Sequence, residues 1–256
     1  MIHGLNADRS RLISSLLLTS TILFAWVVSL FTWLLISPHQ LGWWGLFLSV
    51  LIRVQLQTGL FIVAHDAMHG VLWRGQPRWN DGIGAFALGL YAGLSYKTCR
   101  RNHHRHHQRT ATSDDPDFPS DRQAGFWWWY AQFMTGYLSW RQMLTLLSGW
   151  AVLGVLMVRL NPSVWSNLLL FCVVPLLLSS LQLFLFGTYL PHRCQRRPQC
   201  AVHPRSLHLP AWLSLLTCFH FGYHREHHDH PGLSWFELPL VRARHGSSLT
   251  FAAAIR

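Results

Sequence analysis

Charged residues are scarce in this sequence of 256 residues. Only 12% are Asp, Glu, Lys or Arg, against roughly 25% in a typical soluble domain. Half of the residues are hydrophobic, and the chain contains 14 tryptophans and 15 phenylalanines. This composition excludes an ordinary water-soluble domain and predicts an integral membrane protein.

Three further absences limit the possible function classes. The formal net charge of +11 is not accompanied by a basic helix or an aromatic and glycine-rich RNA-binding signature, so we expect no nucleic-acid partner. The five cysteines form no C-x-x-C pair, which favours free thiols. The N-terminal apolar run lacks a small-residue cleavage site, and we interpret it as a retained anchor.

Long hydrophobic runs are the first positive feature of the chain. About 20 apolar residues are needed to cross roughly 30 Å of hydrocarbon. The sequence predicts four transmembrane helices, at residues 12–36, 43–64, 143–158 and 164–190. Arg53 interrupts the second run, and because a charge is costly in lipid, its side chain should face the helix bundle or reach the interface.

Lysine and arginine are distributed unevenly around these runs. They concentrate before the first run, between the second and third, and after the fourth, whereas the two remaining loops contain only Arg159. An excess of these residues marks the cytoplasmic side. We therefore predict cytoplasmic N and C termini, with cytoplasmic regions at 65–126 and 191–256.

Histidine is abundant and clustered. The clusters read HDAMH at 65–69, HHRHH at 103–107 and HREHH at 224–228, and on a helix residues three and four apart share a face. This spacing places eight imidazoles on three helix faces: His65, His69, His103, His106, His107, His224, His227 and His228. His192, in TYLPHR after the fourth run, is a candidate ninth member.

Taken separately, each cluster could be a coincidence or a basic surface loop. Taken together at the ends of apolar runs, they predict a metal site. Eight or nine nitrogen ligands are too many for one ion and suit two ions, each with an open position for oxygen or a substrate. Imidazole binds iron, copper, zinc and nickel alike, so the residues alone leave the metal open.

The three histidine clusters at 65–69, 103–107 and 224–228 are here called the first, second and third histidine boxes. Their order and placement resemble those of the membrane di-iron desaturase and hydroxylase superfamily. The segments GLFIVAHDAMHG, SSLQLFLFGTYLPHR and TCFHFGYHREHHDHPGLSWFELP are similar to bacterial-type β-carotene 4-ketolases, and the resemblance runs from about residue 40 onward. It implies one desaturase-like domain over residues 1–256. The expected fold is all-α and integral to the membrane, with about four transmembrane helices and a cytoplasmic histidine-rich cap.

The resemblance also implies an activity. Two non-haem irons would be held by the eight box histidines and His192, with molecular oxygen as co-substrate. The substrate would be a carotenoid from the bilayer, and electrons would come from a donor such as ferredoxin. Two successive hydroxylations at ring carbon C4, followed by loss of water, would give the ketones echinenone and canthaxanthin.

Three residues are candidates for supporting roles around the metals. Thr188 stands where related desaturases have asparagine, four residues before His192, and its hydroxyl could hold a water. His220 lies four residues before His224 and could be a ligand or an outer partner. Asp66, like the aspartates of TSDDPD (112–117), could accept a hydrogen bond from a ligand imidazole, although TSDDPD is also typical of a turn or helix cap.

Other functions fit parts of the pattern. A carotenoid 3-hydroxylase or an acyl-lipid desaturase could use a similar site, and the residues alone do not separate C4 from C3 chemistry. A membrane metal carrier would place its ligands along the spans, near the midplane. A haem-binding membrane protein would leave most of these imidazoles unused.

Overall fold

The structure is a computed structural model that describes residues 2–196 and 203–244. Within these ranges the chain is helical and contains no strand, so the expected all-α fold is confirmed. The first six helices are α1 (Ile2–Leu35), α2 (Gly42–Met68), α3 (Pro77–Ala92), α4 (Tyr96–Arg109), α5 (Phe126–Tyr137) and α6 (Trp140–Met157). The helical stretch α7 (Val164–Arg196) follows, and then α8 (Ala211–Cys218) and α9 (His224–Asp229).

The chain divides into two compact units. The first unit contains residues 1–100 and 134–181, and the second contains residues 101–133 and 182–256. One desaturase-like domain over residues 1–256 stays a prediction. Residues 197–202 and 245–256 of the predicted cytoplasmic region 191–256 lie outside the described residues.

Three helices are long and apolar enough to cross a membrane. They are Asp8–Leu35 within α1, Gly42–Met68 and Val164–Arg196, and they correspond to three of the four predicted spans. The remaining prediction, 143–158, forms α6, which has 18 residues and is therefore about 27 Å long, slightly short of the hydrocarbon thickness. Arg141 and Gln142 make its first turn polar. By length and composition the described residues therefore contain three candidate spans, and a crossing at 143–158 stays a prediction.

The first unit has a small apolar core where α1 meets α7. Leu34 of α1 packs there with Val164, Leu168 and Cys172 of α7. Gly154 of α6 lies so close to α7 that an added Cβ would be 2.6 Å from the Trp165 ring. Close approach of α6 to α7 therefore depends on the absence of a side chain at Gly154.

Arg53 is fully buried in the first unit and faces the bundle, as expected. Its Nε donates to the Phe171 carbonyl at 2.9 Å, and its Nη1 donates to the Trp26 carbonyl at 3.0 Å. In a regular α-helix the Phe171 carbonyl would accept from residue 175, but Pro175 has no N–H to give. Arg53 thus supplies the donor that Pro175 removes, which is one way in which proline is tolerated in a membrane helix.

The second unit is built around aromatic side chains. Phe118, Trp129 and Phe184 form its core, and Phe126 and Tyr189 pack against them. The π-helical turn Phe184–Tyr189 interrupts α7 at this core. Such turns often occur at functional sites, and this one ends three residues before His192.

The cysteines differ from one another. Cys99, Cys172 and Cys218 are free and buried, as expected. Cys194 is disulfide-bonded, so the expectation of free thiols is wrong for that residue. Sequence spacing could not reveal this pairing because disulfide connectivity cannot be deduced from the sequence alone.

Substitution of Arg53 by methionine should destabilise the protein by about 1.5–3 kcal/mol, because the Phe171 carbonyl loses a charged donor. Pro175→Ala restores a backbone N–H at position 175, so the same Arg53 substitution should cost less in that background. Thermal unfolding of the four detergent-solubilised proteins checks this. Equal losses in both backgrounds would contradict the link between Arg53 and Pro175.

Candidate metal centre

Helix α4 carries the second histidine box. His103 and His106 are buried and His107 is half-buried, whereas Arg101 and Arg105 on the same helix are exposed. The rings of His103 and His107 are 4.6 Å apart in an edge-to-face arrangement. The H-x2-H-H spacing therefore produces the shared helix face that the sequence predicted.

Helix α9 carries the third box and brings its imidazoles to those of α4. His107 Nε2 lies 3.0 Å from His227 Nε2, and His106 Nε2 lies 3.2 Å from His228 Nε2. Within α9, the Nε2 atoms of His224 and His228 are 3.0 Å apart. The predicted convergence of these two boxes is thus present within the second unit.

His192, the candidate ninth member, joins the same cluster from the end of α7. Its Nε2 lies 2.8 Å from His224 Nε2, and its side chain is buried. One ring nitrogen from each of His106, His192, His224 and His228 falls within 4.8 Å of the other three. The four nitrogens could therefore surround a single metal ion.

The chemistry of this group fits a transition metal. Burial lowers the pKa of His228, and the neighbouring rings of His224 and His107 lower it further, so this ring is neutral at pH 7. Neutral imidazole is the form that binds metals. Nitrogens that face one another at 2.8–3.2 Å need protons or a cation between them.

The first box lies in the first unit, at the end of α2. The rings of His65 and His69 are 5.0 Å apart, with His65 buried and His69 half-buried. Asp66, predicted as an outer partner, is also buried, and its Oδ1 is 3.8 Å from His65 Nδ1. This separation exceeds a hydrogen bond, so the two groups are near neighbours only.

Asp115 directly contacts a ligand candidate, His106. Its Oδ1 lies 2.8 Å from His106 Nδ1 and also accepts from the Asp117 backbone N–H at 2.9 Å, while Oδ2 accepts from Ala111 at 2.8 Å. TSDDPD therefore has both of the roles considered for it. Asp115 bonds backbone N–H groups of the turn, and it also bonds the imidazole of His106. Burial lowers the pKa of His106, but Asp117 and Asp115 raise it by more.

Gln195 is a functional candidate that sequence reasoning missed. Its buried Oε1 lies 2.6 Å from His192 Nδ1 and accepts the proton there when His192 Nε2 faces inward. Arg122 in turn donates to the Gln195 backbone carbonyl at 2.9 Å. The available signal was the three-residue spacing from His192 to Gln195 at a helix end.

The two other supporting candidates have different surroundings. Thr188 is buried within the π-helical turn of α7. His220 is buried at a positive φ of 62°, and its ring stacks on Tyr223 at 5.5 Å. Burial lowers the pKa of His220 to about 4. His220 is not one of the four clustered histidines, and its Nδ1 has no hydrogen-bond partner among the described residues.

Helix α9 is anchored on its outer side by an ion pair between buried Glu226 and half-buried Arg242. Glu226 accepts from Arg242 Nη1 at 2.9 Å and from the Ser206 hydroxyl. The same arginine Nη2 lies 3.0 Å from His208 Nδ1, and its guanidinium lies over the Tyr223 ring. Because Glu226 points away from the imidazoles, this network fixes α9 without occupying a ligand position.

Comparison with known proteins gives two kinds of match. The fatty acid desaturase family model matches residues 41–253. A beta-carotene ketolase of Paracoccus sp. (strain PC1) is 42% identical over 237 residues, covering 90% of this chain and 92% of the relative. The chain belongs to the beta-carotene ketolases of the fatty acid desaturase family. The resemblance noted in the sequence is thereby confirmed.

Other beta-carotene ketolases share the similarity. One from Paracoccus sp. (strain N81106 / MBIC 01143) is 41% identical, with 74% of this chain and 76% of the relative covered. A beta-carotene 4-ketolase of Protosiphon botryoides is 36% identical, with 73% of this chain and 49% of the relative covered. No solved structure matches.

Asp115→Asn should weaken metal binding by about ten- to a hundredfold, because it removes the charged partner that orients the His106 ring. Titration of the metal-free protein with Fe(II), and the visible spectrum after Co(II) loading, measure the effect. Asp114→Asn is the matched control, since Asp114 is exposed and contacts Arg105 instead. Equal metal affinities for the two variants would show that Asp115 does not contribute to metal binding.

Proposed function

We propose that this beta-carotene ketolase family member oxidises ring carbon C4 of β-carotene to a ketone. Seven histidines converge in the second unit, and this convergence is the main support for the proposal. The Nε2 atoms of the facing pairs are 2.8–3.2 Å apart. The names of the relatives supply the substrate class, a carotenoid.

We propose that two irons occupy this centre. The group of His106, His192, His224 and His228 supplies four nitrogens for one ion. His103, His107 and His227 remain in the same unit for a second ion, with the His107 and His227 Nε2 atoms 3.0 Å apart. His65 and His69 are proposed as further ligands from their spacing alone.

When bound, the irons would use molecular oxygen to remove a hydrogen atom from C4 and to insert oxygen there. The protein orients the rings: Asp115 holds His106 Nδ1, and Gln195 holds His192 Nδ1. With the outer nitrogens engaged, the Nε2 atoms are left for the metals. The buried cluster also limits access of water to a reactive centre.

The reaction balances in two equivalent steps. Each hydroxylation at C4 consumes one O₂, two electrons and two protons, and yields one water with the hydroxylated carbon. The second step gives a geminal diol, which loses water to become the ketone. One oxidised ring gives echinenone and two give canthaxanthin. The carotenoid enters from the bilayer, and a donor such as ferredoxin supplies the electrons.

We propose that the metal centre and both termini face the cytoplasm, because the flanking arginines concentrate on that side of the apolar runs. His106 precedes α6 and His192 lies near the end of α7, yet their rings are 4.9 Å apart. The chain must therefore cross the membrane an even number of times between them. We propose that α6 makes the second crossing, with local thinning of the bilayer accommodating its shorter apolar length.

Expression in a β-carotene-producing bacterium tests the activity, with chromatography and mass analysis of the pigments. Echinenone and canthaxanthin are expected. Only 3-hydroxylated products would make the protein a hydroxylase, and a new double bond without added oxygen would make it a desaturase.

His106→Ala and His227→Ala should each abolish ketone formation because each removes a proposed iron ligand. His203→Ala, at an exposed position, should leave it unchanged at equal membrane expression.

Thr188→Val should lower turnover and raise the fraction of 4-hydroxylated intermediate. The substitution removes the hydroxyl that we propose holds a water beside His192, at similar side-chain volume, and a slower second oxidation releases more alcohol. Time-resolved pigment analysis measures the ratio of alcohol to ketone. Thr145→Val, at an exposed position on α6, is the control. An unchanged ratio in Thr188→Val would exclude a role for that hydroxyl.

A further inference from the structure

Helix α4 presents different chemistry on its two faces. His103, His106 and His107 point into the histidine cluster, and the first two are buried. Arg101, Arg105 and Arg109 recur every four residues and are exposed. Four-residue spacing aligns side chains along one face, and this row lies on the side of the helix opposite the histidines.

The arginine row lines a surface cavity of about 460 Å³, here called the basic groove. Its lining consists of Arg101, His104, Arg105, Gln108, Arg109 and Asp114. Asp114 lies 3.2 Å from Arg105 Nη2 and 3.9 Å from Arg109 Nη1. Three arginines face a single aspartate in this lining, so the basic groove keeps a positive surplus.

The basic groove is separated from the ligand candidates by one helix. An α-helix with its side chains is about 10–12 Å wide. A molecule seated on the outer face of α4 is therefore about one helix width from the imidazoles of His103, His106 and His107. His104, in the groove lining, is the direct sequence neighbour of His103.

The proposed reaction needs a source of electrons close to this centre. Each hydroxylation consumes two electrons, and imidazole, guanidinium and carboxylate groups do not supply them. The proposed function assigns their supply to a separate redox protein, which has to approach the histidine cluster. The outer face of α4 is an exposed surface directly behind three of the proposed ligands.

We propose that the basic groove is the docking site for an acidic one-electron donor protein of the ferredoxin class. This inference rests on the proposed function. Opposite charge raises the rate of encounter and orients the partner. A lipid headgroup is the weaker fit, because a helix lying on a membrane combines its basic residues with apolar side chains, and the groove lining has none.

The test measures ketone formation by the full-length, iron-loaded enzyme in nanodiscs of neutral lipid. Reduced [2Fe–2S] ferredoxin is varied, for the wild type and for the Arg101→Glu/Arg109→Glu variant. The KM for ferredoxin should rise about tenfold and depend less on salt, whereas kcat at saturating ferredoxin should stay within about twofold. The milder Arg101→Gln/Arg109→Gln variant should show a smaller rise, and it serves if the Glu variant does not fold.

Arg74→Glu/Arg78→Glu is the matched control, since both arginines are exposed and lie outside α4. Its KM for ferredoxin should equal that of the wild type. An equal KM in the groove variants, with normal ketone formation, would overturn the docking site while leaving the proposed function intact. The assay is repeated in nanodiscs that contain anionic lipid. A dependence of the rate on anionic lipid that vanishes in the groove variants would make the face a lipid contact and overturn the proposal. Absence of ketone from the wild type with any donor would refute the proposed function itself.

Discussion

The histidine rings of the second unit are packed against one another, so each ring must direct a particular nitrogen toward the cluster. The contacts around the cluster in the second unit depend on this requirement. A neutral histidine has one donor nitrogen and one acceptor nitrogen, and the group on the outer nitrogen decides which is which. Asp115 engages His106 Nδ1 and Gln195 engages His192 Nδ1. Both rings consequently direct Nε2 toward other histidines, the geometry needed for a shared metal centre.

The outer partners are themselves held by a single arginine. Arg122 donates from Nη1 to the Gln195 carbonyl at 2.9 Å and from Nη2 to the Ala111 carbonyl at 3.1 Å. Ala111 has a positive φ of 60°, a conformation that costs a non-glycine residue about 1–2 kcal/mol. Its N–H bonds to Asp115 and its carbonyl to Arg122, which offsets that cost. Arg122 thereby connects the turn that orients His106 to the residue that orients His192.

The sequence predicted the parts of this arrangement that depend on local periodicity. Spacings of three and four residues placed His103, His106 and His107 on one face of α4, and apolar runs located three membrane helices. Arg122 was not predicted because its partners are the backbone carbonyls of Gln195 and Ala111, which a side-chain pattern does not indicate. Gln195 was missed although it lies three residues after His192, because a glutamine at that spacing is not a recognised motif. The predicted span 143–158 was itself shorter than the roughly 20 residues needed to cross a membrane. The helix that forms, Trp140–Met157, adds only a first turn that contains the polar residues Arg141 and Gln142.

Helix α4 shows why the usual apolar pattern could not have located this site. An ordinary packed helix buries a stripe of apolar side chains, but the buried residues of α4 are Cys99, His103 and His106. Burying neutral imidazoles is favourable only when their nitrogens find partners. Asp115 satisfies the outer nitrogen of His106, and a metal would satisfy the inner one. The packing of α4 in the second unit is therefore coupled to the centre it helps to form, and histidine spacing replaces hydrophobic periodicity as the signal for its buried face.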